Sequence, residues 1–396
     1  MTTSSEDMVY ADEGGSGGGW IQGLAISVAA ILAGGLIAVL IGGGSGYAGH
    51  AVIGTLKAAA GEGMAGLIGW ITPLLYIALV ISCCGLAAWI FRFVLRRFAV
   101  ETVAKPMRQA PLTAAFGLLI ILIYVIAAVF APVLAPYGEA EVFSAINVPP
   151  GGDPSVGGDP AHILGTDQIG RDLLTRLIYG ARNTVGIAFV TTCLAFLLGA
   201  TAGFLAATLG GWVDQLMSRT NDVLMAIPQL IFALLLMTIA SAWASSLGIS
   251  LTIFMILIIA VLDSTRVFRL ARAVGLNIVV MDYIEAAKLR GETLPYLIFK
   301  EILPNATAPL LAEFGLRFCF VFLLIAALSF LGLGIQPPLA DWGSMVSELR
   351  QFISFAQWDM LSASLPLMAA GAIALLTVAV NFVVDWMLHR TSGLKE

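Results

Sequence analysis

The sequence predicts an all-α fold, a polytopic helical membrane protein, on three observations. Of its 396 residues, 59% are hydrophobic and 11% charged, and the mean hydropathy is +0.95, outside the range of soluble domains. The apolar residues fall in runs of membrane-crossing length. The Lys and Arg residues gather in particular connecting segments, and it is their placement, not the net charge of -5, that orients such a chain. Nothing in this composition supports nucleic-acid binding. Cys83, Cys84, Cys193 and Cys319 all lie in apolar runs, where they act as small hydrophobes and predict neither a disulfide nor a metal site.

Residues 1–19 carry Glu6, Asp7, Asp12 and Glu13 among Gly and Ser, with no basic residue and no small-residue cleavage site behind the following apolar run. They read as a disordered acidic tail and not as a cleaved signal. Residues 20–110 hold two spans, Trp20 to Ile41 and Leu67 to Phe91, with Trp20 and Trp70 at interfacial positions. The Gly-rich segment between them carries only Lys57 and Glu62. The linker after them carries Arg92, Arg96, Arg97, Lys105 and Arg108 against Glu101. That asymmetry puts the linker, and with it the N-terminus, in the cytoplasm. The pair has no intramembrane acid or base, so it is expected to pack at the periphery, against lipid or an accessory subunit.

Residues 111–396 supply six further spans: Ala114 to Leu134, Val185 to Leu209, Val223 to Ala244, Ile249 to Val267, Thr307 to Leu333 and Ala363 to Leu388. Counting alternately from the basic linker leaves both termini cytoplasmic, in agreement with His389, Arg390 and Lys395. Residues 137–182 form a long polar segment on the outer face. Its last part alternates Arg171, Leu174, Ile178 and Arg182 with Asp172, Arg176 and Tyr179, the pattern of an amphipathic segment lying along the membrane surface. Asp214, Arg219 and Asp222 mark a short inner loop, and Pro228, Pro309 and Pro366 mark kinks.

The polar interruption Asp282 to Pro304, DYIEAAKLRGETLPYLIFKEILP, lies within an inner segment spanning residues 270–305. Good helix formers from Tyr283 to Arg290 end at Gly291, which can take a left-handed cap. A second short helix begins at Thr293 or Leu294, with Pro295 in its first turn, and runs to Pro304. Ile284, Ala287 and Gly291 give the first helix a small apolar side suited to a cleft on another protein. A solvated loop helix between two spans is the plain structural alternative.

Glu285-Ala286-Ala287, three residues, Gly291, nine residues, one position, one more residue, then Leu303-Pro304 resembles the EAA loop of ABC-importer permeases. One position departs, Glu301 standing where that family has Ile. Three further stretches resemble the peptide and nickel importer subgroup. His162-Ile163-Leu164-Gly165-Thr166-Asp167, Gly170-Arg171-Asp172, Arg176, Tyr179-Gly180 and Arg182 form one block, with Thr175 in place of the usual Ser. Asp222 to Pro228 and Ser329 to Gly343 match further blocks in the same order. The resemblance covers Pro111 to Leu388 and leaves the first two spans outside it. It implies a type I permease core of six spans preceded by two extra N-terminal spans, in the cytoplasmic (inner) membrane of a bacterium. It also implies a second homologous permease, two ABC ATPase subunits and an extracytoplasmic substrate-binding protein as partners. Glu285, Ala286, Ala287, Gly291, Leu303 and Pro304 would then couple to an ATPase, and Asp167, Arg171, Asp172 and Arg176 would contact the outer partner. Each of those glycines and charges also has a plainer role, as a turn or an internal pair.

The chain has no G-x-x-x-x-G-K-[ST], so it is expected to be non-catalytic and to hold no cofactor, ATP and Mg being bound by the ATPase subunits. Asp263, Arg266, Glu313, Arg317 and Asp385 stand inside spans, where charge is costly and commonly functional. Glu313 and Arg317 are spaced for an internal salt bridge. An ion-coupled secondary transporter that uses Asp263, Glu313 and Asp385 is the alternative reading, but no internal repeat accompanies it. Dipeptide, oligopeptide, metal chelate or another conjugate are all open as cargo.

Overall fold

A computed structural model describes residues 82–95, 97, 110–152, 154–355 and 363–391. The acidic tail, the first of the two N-terminal spans, the beginning of the second and most of the basic linker lie outside the described residues, so the eight-span count is carried here only for the later part of the chain. From the second N-terminal span, α1 (Ser82–Leu95) is described. Its Cys84 and Ala88 join the main hydrophobic core, whereas Leu86, Trp89 and Phe93 face outward.

The core begins with α2 (Leu112–Leu134), which bends at Phe130 near Pro132. After a long loop come α3 (Leu173–Leu209), α4 (Gly211–Ala226), α5 (Gln229–Leu247) and α6 (Leu251–Val279). The chain ends with α7 (Asp282–Leu289), α8 (Leu294–Phe330), α9 (Trp342–Leu349) and α10 (Leu365–Thr391). Among the described residues five helices are long and apolar enough to cross a membrane, or six if the bent pair α4 and α5 is taken as one span. This is the expected polytopic helical core.

Three sequence expectations need correction. The inner loop of Asp214, Arg219 and Asp222 is instead the helix α4, set at 90° to α5 across Ile227 and Pro228. Its polar composition reads as a loop, but Asp214 accepts from Arg272 Nε at 2.5 Å and Nη2 at 2.6 Å, which fastens α4 to α6. The segment before Val185 does not lie along the surface either. It is the first part of α3, continuous with the span through a π-turn at Ala181–Val185. Likewise the helix starting at Leu294 does not stop at Pro304. A π-turn at Leu297–Ile302 widens the spiral just ahead of that proline, and the helix runs on to Phe330.

Packing is tightest between α3 and α6. A Cβ on Gly199 would meet the Ser264 carbonyl oxygen at 2.5 Å and Val267 Cβ at 2.7 Å. One on Gly203 would meet the Phe268 carbonyl oxygen at 2.7 Å and Ala271 Cβ at 2.8 Å. The two backbones therefore touch, as they do at small-residue contacts in membranes, where dispersion and not the hydrophobic effect holds helices together. Gly275 on α6 continues the seam against Ala207 and Phe204.

Candidate functional site

Two ends of the bundle carry the polar chemistry. At the end where α6 leaves and α8 enters, α7 begins with Asp282 and Glu285 in its first turn and has Lys288 in its last, charges placed to suit the helix dipole. It closes through Glu292 N–H to the Ala287 carbonyl (3.2 Å), with Gly291 at φ 79°. That left-handed closure disfavours any side chain, and open space lies where a Cβ would stand. Pro295 sits in the first turn of α8, as its missing N–H predicts.

The apolar side of α7 does not face a partner. Ile284 and Ala287 are fully buried within the chain, and Ile284 belongs to a cluster with Phe204 of α3, Ala271 and Ile278 of α6, and Ile298, Ile302 and Ala306 of α8. Glu285, Ala286 and Gly291 are exposed, as is Pro304, while Leu303 is half-buried. The residue that composition hid is Leu289, 83% exposed at the tip of the helix. A Leu one position after Lys288 reads as just another helix former, and only the helix phase set by Ile284 and Ala287 turns it outward. Glu301, the departure from the EAA pattern, lies 3.9 Å from Arg290 Nη2 and spans the turn between the two helices.

At the opposite end, the loop before α3 and the hairpin between α8 and α10 are stitched together. Asp172 caps α3 by accepting from Thr175 N–H (2.8 Å) and also meets His162 Nδ1 at 3.0 Å. Asp167 accepts from the N–H groups of Ile169 (3.0 Å) and Arg171 (2.9 Å), and from Arg171 Nε at 2.6 Å. Gly165 and Gly170 adopt positive φ, and a side chain on either would strike the carbonyl of Val148 or Phe143. Trp342 enters beside the bare Cα of Gly180. It donates from Nε1 to the Leu177 carbonyl (2.9 Å) and packs edge-on to Tyr124 and Phe322. The π-turn in α3 brings Thr184 to Asp341 (2.8 Å) and Asn183 to the Ala340 carbonyl (2.8 Å). Burial pushes the Asp341 carboxyl above its ordinary range, opposed by Thr184 and by the Ser344 N–H that it caps.

Asp167, Arg171, Asp172 and Arg176, the expected outer contact residues, are all buried, Arg176 to 1% exposure. Their charged ends turn inward. Glu348 of α9, one third exposed, receives Arg171 Nη2 at 2.8 Å and Arg176 Nη2 at 3.3 Å. Sequence reasoning passed over Glu348, since its partners lie far away along the chain. Replacing Glu348 with Ala would leave two guanidiniums close together with Asp167 as their remaining carboxylate, a loss of about 3 kcal/mol. The expected result is a clearly lowered melting temperature of the solubilised subunit, and an unchanged one would show that this bridge does not hold α9 down.

Midway along the spans, Arg317 joins two acids. Its Nε lies 2.7 Å from Glu313, the internal bridge expected from their spacing, and its Nη1 lies 3.8 Å from the fully buried Asp263. Asp385, grouped with them on the sequence, stands near the far end of α10 and forms no ion pair with them among the described residues.

The model of the family described as binding-protein-dependent transport system inner membrane component matches residues 195–392. The chain is 36% identical over 245 residues to the dipeptide transport system permease protein DppC of Alkalihalophilus pseudofirmus, covering 62% of this chain and 76% of that protein. It is 37% identical over 272 residues to the di/tripeptide transport system permease protein DppC of Pseudomonas aeruginosa, covering 68% and 84%. With the dipeptide transport system permease protein DppC of Escherichia coli it shares 36% identity over 273 residues, covering 69% and 86%.

Proposed function

Since this chain belongs to the family of binding-protein-dependent transport system inner membrane components, we propose that it forms half of the pathway of an ATP-driven importer for dipeptides or similarly small peptides. The single observation that carries the coupling part is the anchoring of α7. Its outer face offers Glu285, Ala286, Leu289 and Gly291, and its inner face is locked by Ile284 to α3, α6 and α8 together, with Ala287 buried on the same side. A displacement of α7 by a partner therefore reaches three spans through rigid packing. Just beyond the π-turn of α8, Leu303 packs against the same cluster and Pro304 is exposed.

On this reading the α7 end faces the cytoplasm and the Trp342 end the outside, both termini are cytoplasmic, and ATP and Mg are held by separate ATPase chains. The single loop of this kind in the chain implies a second, related permease to serve the second ATPase. The cargo follows from the relatives, which are dipeptide and di/tripeptide permeases by name. Purification with the products of neighbouring genes is expected to give one copy of each permease with two ATPase sites, importing labelled dipeptide into liposomes only with ATP and the binding protein. A transport-competent complex with this as its sole permease, or uptake driven by an ion gradient without any ATPase, would overturn the assignment.

A further inference from the structure

The face that α6 and α8 leave open carries cations deep within the spans. Arg266 lies near the middle of the 29-residue α6, half-buried, and Arg269 stands one turn further on. Among the described residues neither has a carboxylate within ion-pairing distance. Arg269 reaches the sulfur of Met225 at 3.8 Å, and Arg266 lies 5.9 Å from the centre of the Phe320 ring. From α8, Arg317 lies over that same ring at 4.6 Å, but its charge is already met by Glu313 and Asp263. Phe320 is 51% exposed, so the ring and the guanidinium above it are open to whatever lies in front of them.

An unpaired guanidinium turned to lipid at this depth is costly, and such groups face water-filled paths or partners instead. The planar fork of Arg fits a carboxylate in two places at once, and an aromatic ring beneath it restrains its orientation. Glu313 is paired with Arg317, and Asp263, 3.8 Å from Arg317, also feels the Arg266 charge but does not come within ion-pairing distance of it, so the donors of the Arg266 fork stay free. We infer that Arg266, seated on Phe320 beside the Arg317–Glu313 pair, receives a side-chain carboxylate of an acidic peptide as it crosses the membrane. The site is accordingly a specificity determinant for anionic groups on the cargo. This rests on the importer reading above, and its position between α6 and α8 puts it on the two helices that leave and re-enter through α7.

The test uses the whole reconstituted complex with wild type, Arg266→Gln and Arg266→Lys. Three dipeptides with acidic, neutral and basic side chains are each supplied at the concentration that half-fills the isolated binding protein, so that delivery is equal. The readout is peptide imported per ATP hydrolysed. Arg266→Gln is expected to lower it about tenfold for the acidic dipeptide, the worth of one charge-assisted hydrogen bond, less for the neutral one and least for the basic one, with partial rescue by Lys. An equal fall for all three, or none, overturns the assignment. Failure of both variants to assemble with the second permease overturns it too, because Arg266 would then be an interface residue. A wild-type complex that imports none of the three peptides would sink the importer reading itself.

Discussion

Gly291→Trp is expected to reduce ATP-driven uptake by about a hundredfold or more in a subunit that still folds and inserts. The residue sits at φ 79°, where any side chain adds about 1–2 kcal/mol of backbone strain, but nothing in the chain lies within 4 Å of its missing Cβ. The fold therefore accommodates the ring, and the ring occupies the space a docked ATPase would use. Leu289→Asp is expected to act almost as strongly without touching the backbone. Burying a Leu that stands 83% exposed is worth about 1.5–3 kcal/mol, which is roughly ten- to hundredfold in affinity. Because binding at the two ends of a coupled machine is linked, loss of docking should also blunt stimulation of the ATPase by the loaded binding protein. Glu285→Lys, which reverses charge in the first turn of α7, belongs in the same series. The measurements are uptake and ATPase activity in liposomes beside a check of assembly. Normal uptake by assembled Gly291→Trp and Leu289→Asp complexes would remove α7 from the coupling route.

Gly203→Leu should leave no correctly packed subunit at all. In the α3 and α6 seam a Cβ at this position falls 2.7 Å from the Phe268 carbonyl oxygen and 2.9 Å from the Arg272 nitrogen, both backbone atoms. Relief requires the whole of one helix to move, so the penalty exceeds the about 1–3 kcal/mol of an ordinary overpacked core. Gly186 on the same helix makes the control. It has helical φ and ψ and no neighbour within 4 Å of a built Cβ, so Gly186→Ala should be neutral or stabilising by up to about 1 kcal/mol. Thermal unfolding and protease resistance of the solubilised subunit separate the two outcomes. A Gly203→Leu subunit as resistant as Gly186→Ala would mean that α3 and α6 are not held in contact along this seam.

The sequence by itself determined the features governed by local chemistry. Apolar length located the spans from Leu112 onward except at Val223 to Ala244, which runs across the 90° break between α4 and α5. The helix formers of α7, the left-handed turn at Gly291 and the first-turn place of Pro295 follow from residue type alone, as does the Glu313–Arg317 pair from its spacing. The motif blocks also sufficed to place the chain in its transporter family, because they are read in order and need no packing. Gly199-Ala-Thr-Ala-Gly203 carried a legible signal too, small residues four apart in an apolar run, which went unread.

What only the tertiary structure decided was which way each face turns and what distant segments meet. Periodicity finds the small apolar side of α7 but cannot tell whether it is buried by the chain's own α3, α6 and α8 or offered to a partner, since both remove the same apolar surface from water. The arginines before Val185 look like surface charges until Glu348 arrives from α9, because a buried guanidinium is tolerable only with a carboxylate beside it and the chain brings that carboxylate from far away. The same holds for Asp263, whose neighbour in sequence is Arg266 but whose ion pair is with Arg317. That exchange of partners across two helices, set by their packing and by no local pattern, is what leaves Arg266 on the open face without a carboxylate at ion-pairing distance among the described residues.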